Sequence, residues 1–156
     1  MAGIRSMTPT DGRGAGHGPV HRPGELHRAA GWAKAEAARD CLAPSGDEAA
    51  IAATVDAFLD DVVTDLVNAP GPSTCTARKL TLAGKTTSSR LKCHMQATAR
   101  GVAVDPACLA KATDAFTSGW TKAEEAGDCQ AGTDDVDIIE GKVDALIDDV
   151  ASALLP

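Results

Sequence analysis

The sequence predicts an all-α fold: an antiparallel helical hairpin plus a third helix, stapled by disulfides and present in one and a half copies. Three observations predict it. Apolar residues recur at spacings of three and four, as in Ile139, Val143, Leu146, Ile147, Val150 and Leu154, which marks one face of a helix. No run of β-branched residues alternates with period two, so no sheet is expected. The segment beginning at Gly31 also returns, nearly intact, at Gly119.

That return organises the chain. Gly31-Trp32-Ala33-Lys34-Ala35-Glu36 lies over Gly119-Trp120-Thr121-Lys122-Ala123-Glu124, an offset of 88 residues from Trp32 to Trp120. The register continues without a gap. Asp40-Cys41 falls on Asp128-Cys129, Asp47 on Asp135, Ile51 on Ile139, Val55-Asp56-Ala57 on Val143-Asp144-Ala145, and Leu66 on Leu154. A fixed self-similarity of this kind reads as a duplication. The second copy has a segment upstream of its tryptophan, Cys75 to Ser118, for which the first copy has no counterpart. The expected organisation is therefore a disordered leader at 1–24, a truncated two-helix repeat at 25–68, a Pro/Gly linker at 69–73 and a complete three-helix repeat at 74–156.

The leader, rich in Gly, Pro, His and Arg, has almost nothing to bury, and it shows no apolar segment of the signal-peptide type. Ile51, Val55, Phe58, Leu59, Val62 and Leu66 form the apolar face of the next helix, with Asp47 placed as its N-cap. Ala69-Pro70-Gly71-Pro72 ends it. Cys75 to Arg100 reads as a long helix closed by Gly101 and weakened in its middle by Gly84, Thr86 and Thr87. Asp105-Pro106 is an N-cap followed by proline at the first helical position, opening a helix to about Gly127. Thr133 or Asp134 is placed to cap the last helix, which carries the apolar face described above.

The cysteines fit that hairpin. Cys75 and Cys93 are 18 residues apart, about five helical turns, and so share a face. Helices 75–100 and 106–127 folded back on each other bring together residues equidistant from the turn. Cys93 then meets Cys108, and Cys75 meets Cys129. Four cysteines allow three connectivities, and the hairpin favours this one. Each bridge contributes roughly 2–4 kcal/mol and implies an oxidising compartment. Cys41 answers to Cys129 but has no partner, which leaves a free thiol or a bridge to another chain. No close C-x₂₋₄-C pair suggests zinc.

Composition narrows the function classes. With two Trp, two Phe and no Tyr, the core must be built from Ala, Leu, Val and Ile, and a thin core needs staples. A net charge of −7 argues against nucleic acid. No apolar run approaches the roughly 18 residues that a membrane span needs.

The stretches Ala77-Arg78-Lys79-Leu80, Ala83-Gly84-Lys85, Leu91-Lys92-Cys93-His94, Asp105-Pro106-Ala107-Cys108-Leu109 and Val143-Asp144-Ala145 resemble a family of repetitive, secreted, cysteine-containing helical bacterial proteins with no assigned activity. The resemblance covers Cys75 to Pro156 and reaches Gly31 to Asn68 through the duplication. It implies helices and disulfides, and it brings no catalytic residues.

The best candidate for chemistry is an acidic stripe on the last helix, Asp137, Glu140, Asp144 and Asp148, with Asp149 beside it. Like charges at i, i+4 destabilise a helix slightly, so something should offset them. One answer lies within the chain. The helix from Cys75 to Arg100 carries Arg78, Lys79, Lys85, Arg90, Lys92 and Arg100 and no acid. The other answer is a bound Ca²⁺, which needs six to eight oxygens, some of them from the loop before the stripe. An ion there would polarise an ester or lactone carbonyl. Asp144, Asp148 and His94 are the catalytic candidates of that hydrolase reading, with His94 as general base. No G-x-S-x-G, H-E-x-x-H or P-loop motif is present. Trp32 and Trp120 read as packing anchors. The leading expectation is a secreted or periplasmic helical module that binds a protein or small-molecule ligand. Duplication serves such a module by presenting one surface twice, and Cys41 or an exchanged helix offers a route to a homodimer.

Overall fold

The computed structural model describes residues 23–43, 45–132 and 135–155; the leader up to residue 22 and the caps expected at Thr133 and Asp134 lie outside them. The described residues form five helices and no strand: α1 (Pro23–Ala37), α2 (Glu48–Leu66), α3 (Thr74–Arg100), α4 (Pro106–Glu124) and α5 (Val136–Leu154). The fold is all-α, with an antiparallel hairpin and a further helix held by disulfides. No helix among the described residues is long and apolar enough to cross a membrane.

The α3–α4 hairpin is built by its ends. The Ser73 side chain accepts from the Thr76 amide at 2.9 Å and starts α3. Gly101 stops α3 in the left-handed conformation (φ 64°), where glycine avoids the Cβ penalty. The Val102 amide then reaches back to the Ala97 carbonyl at 3.1 Å, which satisfies one of the last open acceptors. Asp105 accepts from the Ala107 amide at 2.9 Å, with Pro106 beginning α4.

The weak middle of α3 does not break. Thr87 and Ser88 donate their hydroxyls to carbonyls one turn back, at Ala83 and Gly84. Thr86 and Arg90, with Ala83, are buried against the neighbouring helices. Tertiary packing overrides the low local propensity. Helix α4 ends at Glu124, three residues short of the expected Gly127, which takes a left-handed turn instead (φ 75°).

Two bridges fix the hairpin at both ends. Cys93–Cys108 lies near the turn and closes 15 residues; Cys75–Cys129 lies at the open end and closes 54. Helix α5 runs parallel to α3 and antiparallel to α2, as the ion pairs Lys79–Asp135 and Lys142–Asp61 show. The chain's few large side chains gather into two clusters. Val62, Leu66, Ala83, Phe116, Trp120 and Ile139 form one, in which the Phe116 and Trp120 rings lie 4.9 Å apart. Ile51, Leu146 and Val150 form the other, with Trp32, Val55, Leu91 and Leu154 against it. Phe58 touches both clusters.

The bridges should differ in weight. Closing the longer loop removes more entropy from the unfolded chain, so losing Cys75–Cys129 should cost about 4 kcal/mol and losing Cys93–Cys108 about 3 kcal/mol. Urea unfolding of the paired Cys→Ala variants checks the order.

Candidate functional site

The last turn of α4, residues 125–132 and Asp135 form a socket that receives the start of α3. At its rim, Asp128 accepts from the Thr74 amide at 2.6 Å and the Cys75 amide at 2.9 Å, and Cys129 forms the bridge to Cys75. The first amides of a helix lack partners within it and carry partial positive charge, so a carboxylate there satisfies both needs. The hydrogen bonds from Cys75 and then Thr74 hold the Asp128 carboxyl below its ordinary pKa. The Gln130 amide donates to Thr76 Oγ1 at 3.2 Å.

Deeper in the socket, Lys79 is buried to 1% exposure. Its Nζ donates to both Asp135 oxygens, at 2.7 and 2.9 Å, and to the Gly132 carbonyl at 3.1 Å. Those three bonds use all the protons of an ammonium. Glu124, whose Oε1 stands 3.0 Å away, therefore acts as a charge and leaves that oxygen without a hydrogen bond. Lys79 also lies over the Trp120 ring, 4.8 Å from its centroid, while Trp120 Nε1 donates to Asp135 at 3.0 Å. Asp135 occupies the N-cap position of α5 yet caps nothing with its side chain, and Asp47 behaves the same way at α2. Each carboxylate takes an indole proton instead: Trp32 Nε1 donates to Asp47 at 3.1 Å.

A second polar node lies further along α3. Arg90, 6% exposed, binds Glu140 and Asp144 on α5 and donates to Thr113 on α4 at 2.7 Å. The acidic stripe is thus divided. Glu140, half-buried, and Asp144, itself exposed, pair with Arg90 of the basic helix, and Asp137, Asp148 and Asp149 are exposed. Among the described residues, no three His, Cys, Asp or Glu side chains come together as a metal-holding group, so the five stripe residues do not converge on one point. His94 is half-buried on α3 beside the Cys93–Cys108 bridge. Of the hydrolase candidates, Asp144 is engaged by Arg90, and Asp148 stands exposed.

Between α2 and α5 runs an open groove of about 780 Å³ whose walls include Phe58, Leu146, Asp60 and Asp149. Lys142 crosses it to Asp61 and Asp65, at 2.7 Å each. Burial alone would lower the Lys142 pKa, but these two hydrogen-bonded carboxylates outweigh it and raise the value. Cys41 is exposed and free.

The socket was only partly visible beforehand. Lys79 was one of six bases on a helix, and nothing in its spacing marked it as the buried one. The available signal was the recurrence in the sequence of Asp40 and Asp47 as Asp128 and Asp135. Comparison with protein-family models, curated proteins and solved structures finds no match.

Removing one member of a buried ion pair strands the other, so Lys79→Ala should lose about 3–5 kcal/mol of stability. The exposed Lys85→Ala on the same helix should stay within about 0.5 kcal/mol; chemical denaturation compares them. A lowered folded pKa stabilises above the unfolded value and stops doing so as pH falls through the folded value. The stability gap between wild type and Asp128→Asn should therefore be full above the ordinary carboxyl pKa of 3.8. It should close below that pH, as followed by thermal melts across an acid series.

Proposed function

We propose that this chain is a disulfide-stabilised helical interaction module of an extracytoplasmic compartment, one that holds a partner rather than turning over a substrate. The observation that carries this reading is how the reactive side chains are used. Four cysteines, Lys79, Arg90, Asp128, Asp135, Glu140 and Asp144 all hold helices to one another. Enzymes keep such groups poised towards a cleft; here they form the framework. The two bridges, together with the absence of a membrane-spanning helix among the described residues, are compatible with secretion or periplasmic residence.

The framework is tested by alkylating the native protein, isolated without reductant, and weighing it. One modified cysteine, mapped to Cys41, and four protected ones are expected. Five modified cysteines would overturn the stapled-module reading.

A further inference from the structure

The residues that build the socket for α3 occur twice in the sequence. In the second copy its parts are Trp120, Glu124, Asp128, Cys129 and Asp135, and each makes a defined contact with α3: ring to Lys79, charge to Lys79, cap, bridge and ion pair. At the same offset of 88 residues stand Trp32, Glu36, Asp40, Cys41 and Asp47, identical at all five positions. The first set is already arranged in part. Its indole–carboxylate bond, Trp32 to Asp47, measures 3.1 Å, against 3.0 Å in the filled socket. Helices α2 and α5, which begin just after the two aspartates, have the same bounds under that offset.

Over the first set, however, no helix of the α3 kind lies among the described residues. Asp40 and Cys41 are exposed, and Trp32, Glu36 and Asp47 are only half-buried. Glu36, which would face a lysine, accepts from the Gly46 amide at 2.9 Å, and the Cys41 thiol is directed to the Ala35 carbonyl at 3.7 Å. Leu42 beside them is 66% exposed. Two carboxylates, an indole face, a thiol and a helix-capping aspartate are together complementary to one kind of object.

We propose that Trp32, Glu36, Asp40, Cys41 and Asp47 form a vacant socket for the N-terminal turns of a partner helix. That helix carries a cysteine at its second position and a lysine four residues later, as α3 does with Cys75 and Lys79. The chain's own α3 is held by Cys129 and does not fill this socket, so the occupant assigned here is a helix of the same kind on a separate polypeptide. Its lysine pairs with Asp47 and Glu36 over the Trp32 ring, and its first amides are capped by Asp40. Its cysteine, arriving as a mixed disulfide with glutathione, is attacked by the Cys41 thiolate. The new sulfur–sulfur bond joins the two chains, and glutathione leaves as a thiolate that takes up the proton Cys41 gave away.

This proposal rests on the interaction-module reading and can fail separately from it. The probe is a synthetic peptide of residues 74–92 whose cysteine is a glutathione mixed disulfide, mixed with the full chain after its two bridges are verified. Mass analysis follows the adduct at Cys41. The peptide should react at least about tenfold faster than its Lys79→Ala version, the least that one charge-assisted hydrogen bond supplies. Asp47→Asn in the protein should erase that preference. Calorimetry with a Cys75→Ser peptide should show binding that the Lys79→Ala change weakens by a similar factor. Equal rates for the two peptides would overturn the socket while leaving the stapled module standing, since they would reduce Cys41 to an accessible thiol. Five reactive cysteines in the untreated chain would overturn the module itself.

Discussion

The ammonium of Lys79, closed off from water at the meeting of α3, α4 and α5, determines how the rest of the molecule can pack. A buried charge is tolerated only when its hydrogen bonds are complete, and here each proton has an acceptor. The arrangement fixes more than a distance. Asp135 must sit at the start of α5, Trp120 must present its ring edge to Asp135 and its face to Lys79, and Gly132 must turn its carbonyl inward. An apolar side chain of similar size would make no such directional demand. Such a node specifies a structure more than it adds to net stability, because its desolvation offsets much of its attraction.

Around that node the chain compensates for scarce aromatic residues. With Trp120 and Phe116 in one cluster and Trp32 at the edge of the other, most interior contacts involve Ala, Val, Leu and Ile. These contribute less area per residue than aromatics. The two disulfides restrict the unfolded chain at the hairpin's ends, where a thin core has least to offer. The Arg90 node ties α3 to α4 and α5 further along, so α3 is anchored at several points of its length.

The helices were legible because their signals are local. Asp105-Pro106, Gly101 and the three-four spacing in α5 each act within a few residues, and the structure uses them. The cysteine pairs could be read from hairpin geometry, since distance from a turn is itself a sequence quantity. The socket was not legible for the opposite reason. Which of six bases on α3 becomes buried depends on the rotation of that helix against α4 and α5, and rotation is set by packing. Asp47 misled for a related reason. Its place before a helix reads as a cap, but a carboxylate offered an indole N–H takes it in preference to backbone amides, as Asp135 also does with an indole and a buried ammonium. The acidic stripe was read as one surface, whereas Arg90 engages two of its members, Glu140 and Asp144.

An exposed thiol in a chain that also holds disulfides is a danger to its own covalent structure, because a thiolate that reaches a bridge sulfur can exchange with it and scramble the connectivity. Cys41 is such a thiol. Cys75 is fully buried and Cys93 is 4% exposed. Attack at these two sulfurs is closed while the hairpin stays shut, whereas their partners Cys129 and Cys108 are only half-buried. The packing that seats α3 thus also acts as a one-sided kinetic shield, leaving exchange with an outside thiol to the outer sulfur of each bridge.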